Sequence, residues 1–153
     1  MKKPIKHRYL VNAPHLPKQY IRVKERIFHR VIHVFLNYSS KEFESYVVKR
    51  WKACLDGKSR PEFDDNFSAF SSEWDDEKGV RGWIICIKDF DWSIRDQGTL
   101  IHEIVHTIVK IWAFNNIPYG KDTQEFLAHS VANLYEDIAY KIRNPHRYKK
   151  GRG

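Results

Sequence analysis

The stretch "TLIHEIVHTIV", residues 99 to 109, sets two histidines four apart with a glutamate directly after the first. On an α-helix, residues four apart share one face, so His102 and His106 can aim their imidazoles at a single point. Zinc takes nitrogen ligands at roughly 2.0–2.1 Å, a reach that imidazoles on successive turns meet without strain. Glu103 is rotated by about 100 degrees from His102 on such a helix. There it can reach a water on the metal without itself becoming a ligand, which is what a general base needs. The neighbours Leu100, Ile101, Ile104, Val105, Ile108 and Val109 are all apolar. Two imidazoles and a carboxylate buried among them demand compensation, and metal ligation supplies it for the histidines. The plain alternative is a pair of core histidines hydrogen-bonded to carbonyls.

A catalytic zinc wants a third protein ligand and one position left for water. The pattern HExxHxxGxxH would require Gly at 109 and His at 112. Val109 and Trp112 stand there, which excludes that class. The favoured third ligand is Glu125 in "DTQEFLAHSVANLYEDI", nineteen residues after His106. A helix, a turn at "NNIPYG" and a returning helix would bring it back to the histidines. A competing role exists, because Asp122-x-x-Glu125 also fits a helix capping box. His129, one turn beyond Glu125 on the same face, is the next candidate ligand. Glu136 and Asp137 lie farther along and are expected to face solvent.

The elements that must position these groups follow from periodicity. "RVIHVFL" within residues 30 to 36 reads as a strand buried on both faces, rich in β-branched residues. "SSKEFESYVVKRWKACLDGK" reads as a helix capped by Ser39 or Ser40 and followed by Gly57. Its buried face would be Phe43, Tyr46, Val47, Trp51, Cys54 and Leu55. The acidic stretch 61–79 shows no clear period and is expected to be loop. "VRGWIICIKDFD" is a strand centred on Trp83 to Ile87. A helix from about Ile94 to Asn115 follows, stopped by Pro118 and Gly120. A last helix from about Thr123 to Arg143 carries the apolar stripe Phe126, Leu127, Val131, Leu134, Ile138 and Ile142. The order strand, helix, strand, helix, helix implies one α+β domain over residues 1–153.

"HEIVH" (102–106) and "EFLAH" (125–129) resemble the gluzincins, zinc metallopeptidases with HExxH on one helix and a glutamate ligand on the next. The likeness covers about residues 84 to 140 and is greatest to small, minimal members, including short proteins encoded by phages and bacteria. It implies a zincin-like domain, a short β-sheet packed on the HExxH helix and the glutamate-bearing helix. It implies Zn2+ held by His102, His106 and Glu125, with Glu103 polarising the water that attacks a peptide bond. It also implies that a protein or peptide substrate pairs with the edge of the strand near Trp83 to Lys88. There is one departure. Thermolysin-like members carry an aspartate four residues after the glutamate ligand to orient the first histidine, and here that position is His129. Loss of such a partner weakens metal affinity or activity by roughly 10–100-fold. His129 is instead a candidate for stabilising the tetrahedral oxyanion, and Tyr119 a second one.

The chain as a whole sets the remaining bounds. Its 153 residues carry 27 Lys and Arg against 19 Asp and Glu, a formal charge of +8. Residues 1–30 hold nine Lys or Arg and one acid, Glu25; "YKIRNPHRYKKGRG" holds six and none. A basic N-terminal arm (about 1–20) and C-terminal tail (about 144–153) are therefore expected to meet a polyanion such as nucleic acid, or to act as solvated arms. Tyr140 and Tyr148 in that region could stack on bases. Cys54 and Cys86 lie outside any CxxC spacing and read as two buried thiols of a reducing compartment. The start lacks a signal-peptide h-region and no apolar run would span a bilayer, so the expected location is cytoplasmic, or virion-associated for a phage-encoded chain. His29 and His33 would pair only on a helix, and that segment reads as strand. The expected function is a zinc metallopeptidase. The alternative is a weakly active or inactive zincin-fold interaction protein, a phage-particle component or a nucleic-acid-associated protein.

Overall fold

A computed structural model describes residues 17–51, 68–75 and 78–144. In chain order the elements are strands β1 (Gln19–Lys24) and β2 (Val31–Leu36), helix α1 (Ser40–Trp51), strands β3 (Ala69–Asp75) and β4 (Arg81–Ile87), and helices α2 (Ile94–Phe114) and α3 (Gln124–Arg143). The strands form one mixed sheet in the order β1-β2-β4-β3. β2 and β4 run parallel at its centre, while β1 and β3 lie antiparallel at its edges.

The central strands are apolar on both sides because both sides are covered. Ile32, Val34 and Leu36 of β2 and Trp83, Ile85 and Ile87 of β4 face one side. They pack there with Leu100, Ile104 and Ile108 of α2 and Leu134 and Ile138 of α3. Phe35, Ile84 and Cys86 face the other side, with Phe43 of α1 and Trp74 of β3. This explains the near-continuous hydrophobic runs of β2 and β4. The domain is α+β, with helices on both faces of a four-stranded sheet.

The expected β2, β4, α2 and α3 occur close to their expected bounds. α1 is also present, with the Ser39 hydroxyl accepting from the Glu42 backbone N–H at 3.2 Å as its cap. Phe43 is fully buried and Tyr46 packs against the same cluster. Cys54, Leu55, Gly57, Tyr148, residues 1–16 of the basic arm and residues 145–153 of the tail lie outside the described residues.

Three expectations are corrected. Residues 61–79 were expected to be loop, yet Ala69–Asp75 is a strand. Phe70 and Trp74 alternate with polar residues and join the aromatic cluster under α1, and the acids Glu73 and Asp75 sit on an edge strand where charge is tolerated. The edge expected near Trp83–Lys88 does not exist. β4 is paired on both sides, with Trp83 opposite Ile32 of β2 and Glu73 of β3. Among the described residues, the open edges are those of β1 and β3. Phe126 also leaves the expected stripe of α3 and is 64% exposed.

The only described histidine inside the sheet is His33. β2 starts at Val31 and His29 has φ +56°, so the two do not share a helical turn. The Tyr20 hydroxyl hydrogen-bonds His33 Nδ1 at 2.7 Å. Burial, reinforced by Arg22, pushes the His33 imidazole down to about 4. A histidine depressed in the folded state is protonated first in the unfolded chain. Stability should therefore be full above about pH 6.5 and decline toward pH 4. In urea melts between those pH values, His33→Gln is expected to flatten this decline; an unchanged slope would assign it to other groups.

Candidate metal centre

α2 is fixed at its start by a compact polar network. Ser93 caps it, its hydroxyl accepting from the Asp96 N–H at 3.1 Å. Asp96 in turn accepts from the Asp91 N–H at 2.8 Å, and Gln97 Nε2 donates to the Trp92 carbonyl at 2.9 Å. Burial, then the side-chain bond with Asp91, raises the Asp96 pKa from its ordinary value. Trp92 takes a left-handed φ of +67°, costly for so large a residue, and is held between Phe90 at 5.0 Å and the Arg143 guanidinium at 4.8 Å. Two faces of the helix then separate cleanly. Leu100, Ile104, Thr107, Ile108 and Ile111 are buried, whereas His102 and His106 are exposed.

The two imidazoles converge. His102 Nε2 and His106 Nε2 lie 3.0 Å apart, with ring planes at 78°. Two nitrogens on one tetrahedral zinc stand roughly 3.3 Å apart, from Zn–N distances of about 2.0–2.1 Å. A change of a few tenths of an ångström in one rotamer would seat both, so the pair fits two positions of a zinc site. Glu103 lies beside them and is only 6% exposed. Its backbone carbonyl accepts from Thr107 Oγ1 at 2.8 Å, but among the described residues no hydrogen bond or ion pair holds its carboxylate.

Lys110 continues the stripe one turn beyond His106. Its Nζ donates to the Ser71 carbonyl at 3.1 Å and stands 3.5 Å from Glu73 Oε2. The histidine face of α2 is thereby tied to β3, an edge strand. Sequence reading missed this residue, although the i, i+4, i+8 spacing of His102, His106 and Lys110 was visible; what it lacked was the strand that Lys110 meets.

Glu125 and His129 form a separate pair on α3, with His129 Nε2 3.7 Å from Glu125 Oε1 and both side chains largely exposed. Among the described residues, no three His, Cys, Asp or Glu side chains form a metal-holding group, so the structure does not bring Glu125 or His129 to the histidine pair. Nor is Glu125 consumed by a cap. The turn before α3 is closed by Thr123, whose Oγ1 accepts from the Gly120 N–H at 2.8 Å. Tyr119 is 64% exposed in the connecting segment. Asp137 does not face solvent freely, because it takes both Nε and Nη2 of Arg26, at 3.1 and 2.7 Å.

Comparison with known proteins finds no family model that matches the chain, and no curated protein or solved structure that matches it. No described helix is long and apolar enough to cross a membrane.

Proposed function

We propose that this chain is a minimal zincin-like, zinc-dependent metallopeptidase. One observation carries the reading: two imidazoles converge on an exposed helix face directly beside the largely buried Glu103, whose carboxylate has no hydrogen bond or ion pair among the described residues. His102 and His106 are two of the metal ligands. Glu125, exposed and free of capping duty, is the third in this reading, and its carboxylate must leave His129 to serve. Bound zinc supplies Lewis acidity and lowers the pKa of a coordinated water toward neutrality. With zinc held there, Glu103 would be the group that accepts a proton from the attacking water and passes it to the leaving amine. His129, released from Glu125, is the candidate donor to the tetrahedral oxyanion. The substrate is a peptide laid against the open edge of β3, the strand that Lys110 ties to the histidine face.

A second reading has its own observation. Ile101, Val105 and Val109 flank the histidines at 40%, 37% and 44% exposure, which favours a protein that uses the same face for interaction without catalysis. Elemental analysis of protein purified without added metal separates the two. About one zinc per chain is expected, lost by at least tenfold in affinity in His106→Ala and weakened in Glu125→Ala. Wild-type protein that takes up no zinc even when supplied with it would dismiss the peptidase.

A further inference from the structure

A second cluster, at the C-terminal end of α2, is not used by the metal centre. Phe114, the last residue of that helix, is 44% exposed. The Arg30 guanidinium lies 5.1 Å from its ring centroid and the Arg81 guanidinium 4.9 Å, with the Trp83 ring edge-on at 5.8 Å. Arg81 is committed to Asp75, its Nε 3.0 Å from Oδ1. Among the described residues Arg30 meets no carboxylate: Nη2 donates to Asn115 Oδ1 at 3.0 Å, while its Nε is buried without an acceptor.

Part of this arrangement is structural. The last turn of α2 holds no basic residue, so Arg30 supplies the positive charge that a helix C-terminus favours. That role uses the charge of Arg30 and leaves most of its five-donor fork unspent. An arginine resting on an aromatic face is weakly hydrated and matched to phosphate oxygens. Exposed Lys24, opposite Val31 in the β1–β2 hairpin, extends the positive surface. An acidic protein partner would satisfy Arg30 yet leave Phe114 unmatched. A nucleotide satisfies both, because its phosphate suits the fork and its base the ring.

We propose that the Arg30–Phe114–Arg81 cluster is a binding site for single-stranded nucleic acid. Arg30 takes a backbone phosphate through its Nη groups, and an unpaired base packs against the exposed part of Phe114 that the two guanidinium groups leave uncovered. The site does not depend on the peptidase reading and differs from the basic termini. The excess of 27 basic over 19 acidic residues provides the long-range attraction but not the place of contact.

The test is fluorescence anisotropy with a labelled oligothymidylate, over a salt series, on the full chain. Arg30→Gln should weaken binding roughly tenfold at low salt and reduce the salt slope by about one. Phe114→Leu should weaken it at least about fivefold with the slope unchanged. A full-length variant with Arg147, Lys149, Lys150 and Arg152 replaced by alanine should keep the site's contribution. Wild-type affinity in both Arg30→Gln and Phe114→Leu would overturn the proposal, as would no oligonucleotide binding at all. Inorganic phosphate is the second probe, followed on the Trp83 indole N–H signal and assigned with Trp83→Phe. If phosphate moves that signal while the oligonucleotide does not bind, the nucleic-acid source is refuted. Melting curves for each variant check that α2 remains docked.

Discussion

Replacing Glu103 with glutamine should lower peptide hydrolysis by about 10²–10⁴-fold while leaving the zinc content of the protein unchanged. The two halves of this result depend on different atoms. In the proposed site, metal retention depends on His102 and His106, whose Nε2 atoms already stand 3.0 Å apart. Turnover depends on a carboxylate that can accept a proton, which an amide cannot. The burial of Glu103 adds a third expectation. Glu103 is 6% exposed and has no hydrogen bond or ion pair among the described residues, so exchanging it for a neutral isostere should leave the melting temperature equal or raise it. A fluorogenic peptide library, assayed with and without zinc, reads the first effect, and thermal melts read the third. An E103Q protein as active as wild type would remove Glu103 from the chemistry. Loss of zinc in E103Q would make it a ligand instead of a base.

Much of the α2 site was legible in the sequence because it is local. The helix bounds and the convergence of the imidazoles follow from a period of 3.6 residues, and α2 differs from expectation by one residue at its end. The burial expected around the histidines is corrected: His102 and His106 are exposed, as are their apolar neighbours Ile101, Val105 and Val109. Its stop illustrates how local signals can still mislead. Pro118 and Gly120 were the visible breakers, but Asn116 makes the turn at φ +56°, with Ile117 N–H returning to the Trp112 carbonyl at 2.9 Å. The remainder depended on pairings between residues distant in sequence. β3 was hidden because its four polar residues read as loop, and only Phe70 and Trp74, meeting α1 and β4, make it a strand. The position of β4 was hidden for the same reason: nothing in "WIICI" states whether one neighbour or two will bond to it. Glu125 is the most instructive case. Its spacing from His106 fits a ligand, yet in the structure its carboxylate lies by His129. Spacing along the chain fixes which turn of α3 a residue occupies, but not how that turn is rotated toward α2.

Phe35→Ala should be the most destabilising single change on the opposite face of the sheet, at about 3–5 kcal/mol. Its fully buried ring is met by Phe43 at 4.9 Å, Tyr20 and Tyr46 at 5.2 Å and Tyr38 at 5.3 Å. Removing it leaves a cavity where β1, β2 and α1 come together, and the neighbouring rings cannot all tilt inward to fill it. For a chain of this size the melting temperature should fall by roughly 6–20 °C. The proposed zinc centre should be spared at temperatures where the variant remains folded, because α2 packs against the other face through Leu100, Ile104 and Ile108. Ile104→Ala should behave differently. Ile104 lies between His102 and His106 in sequence and is fully buried beneath them, so its loss should weaken both the fold and the metal affinity. Urea melts and zinc titrations of the two variants therefore test whether the sheet separates the two layers energetically. Zinc binding that falls equally in both would show that the α1 layer also holds the site in place.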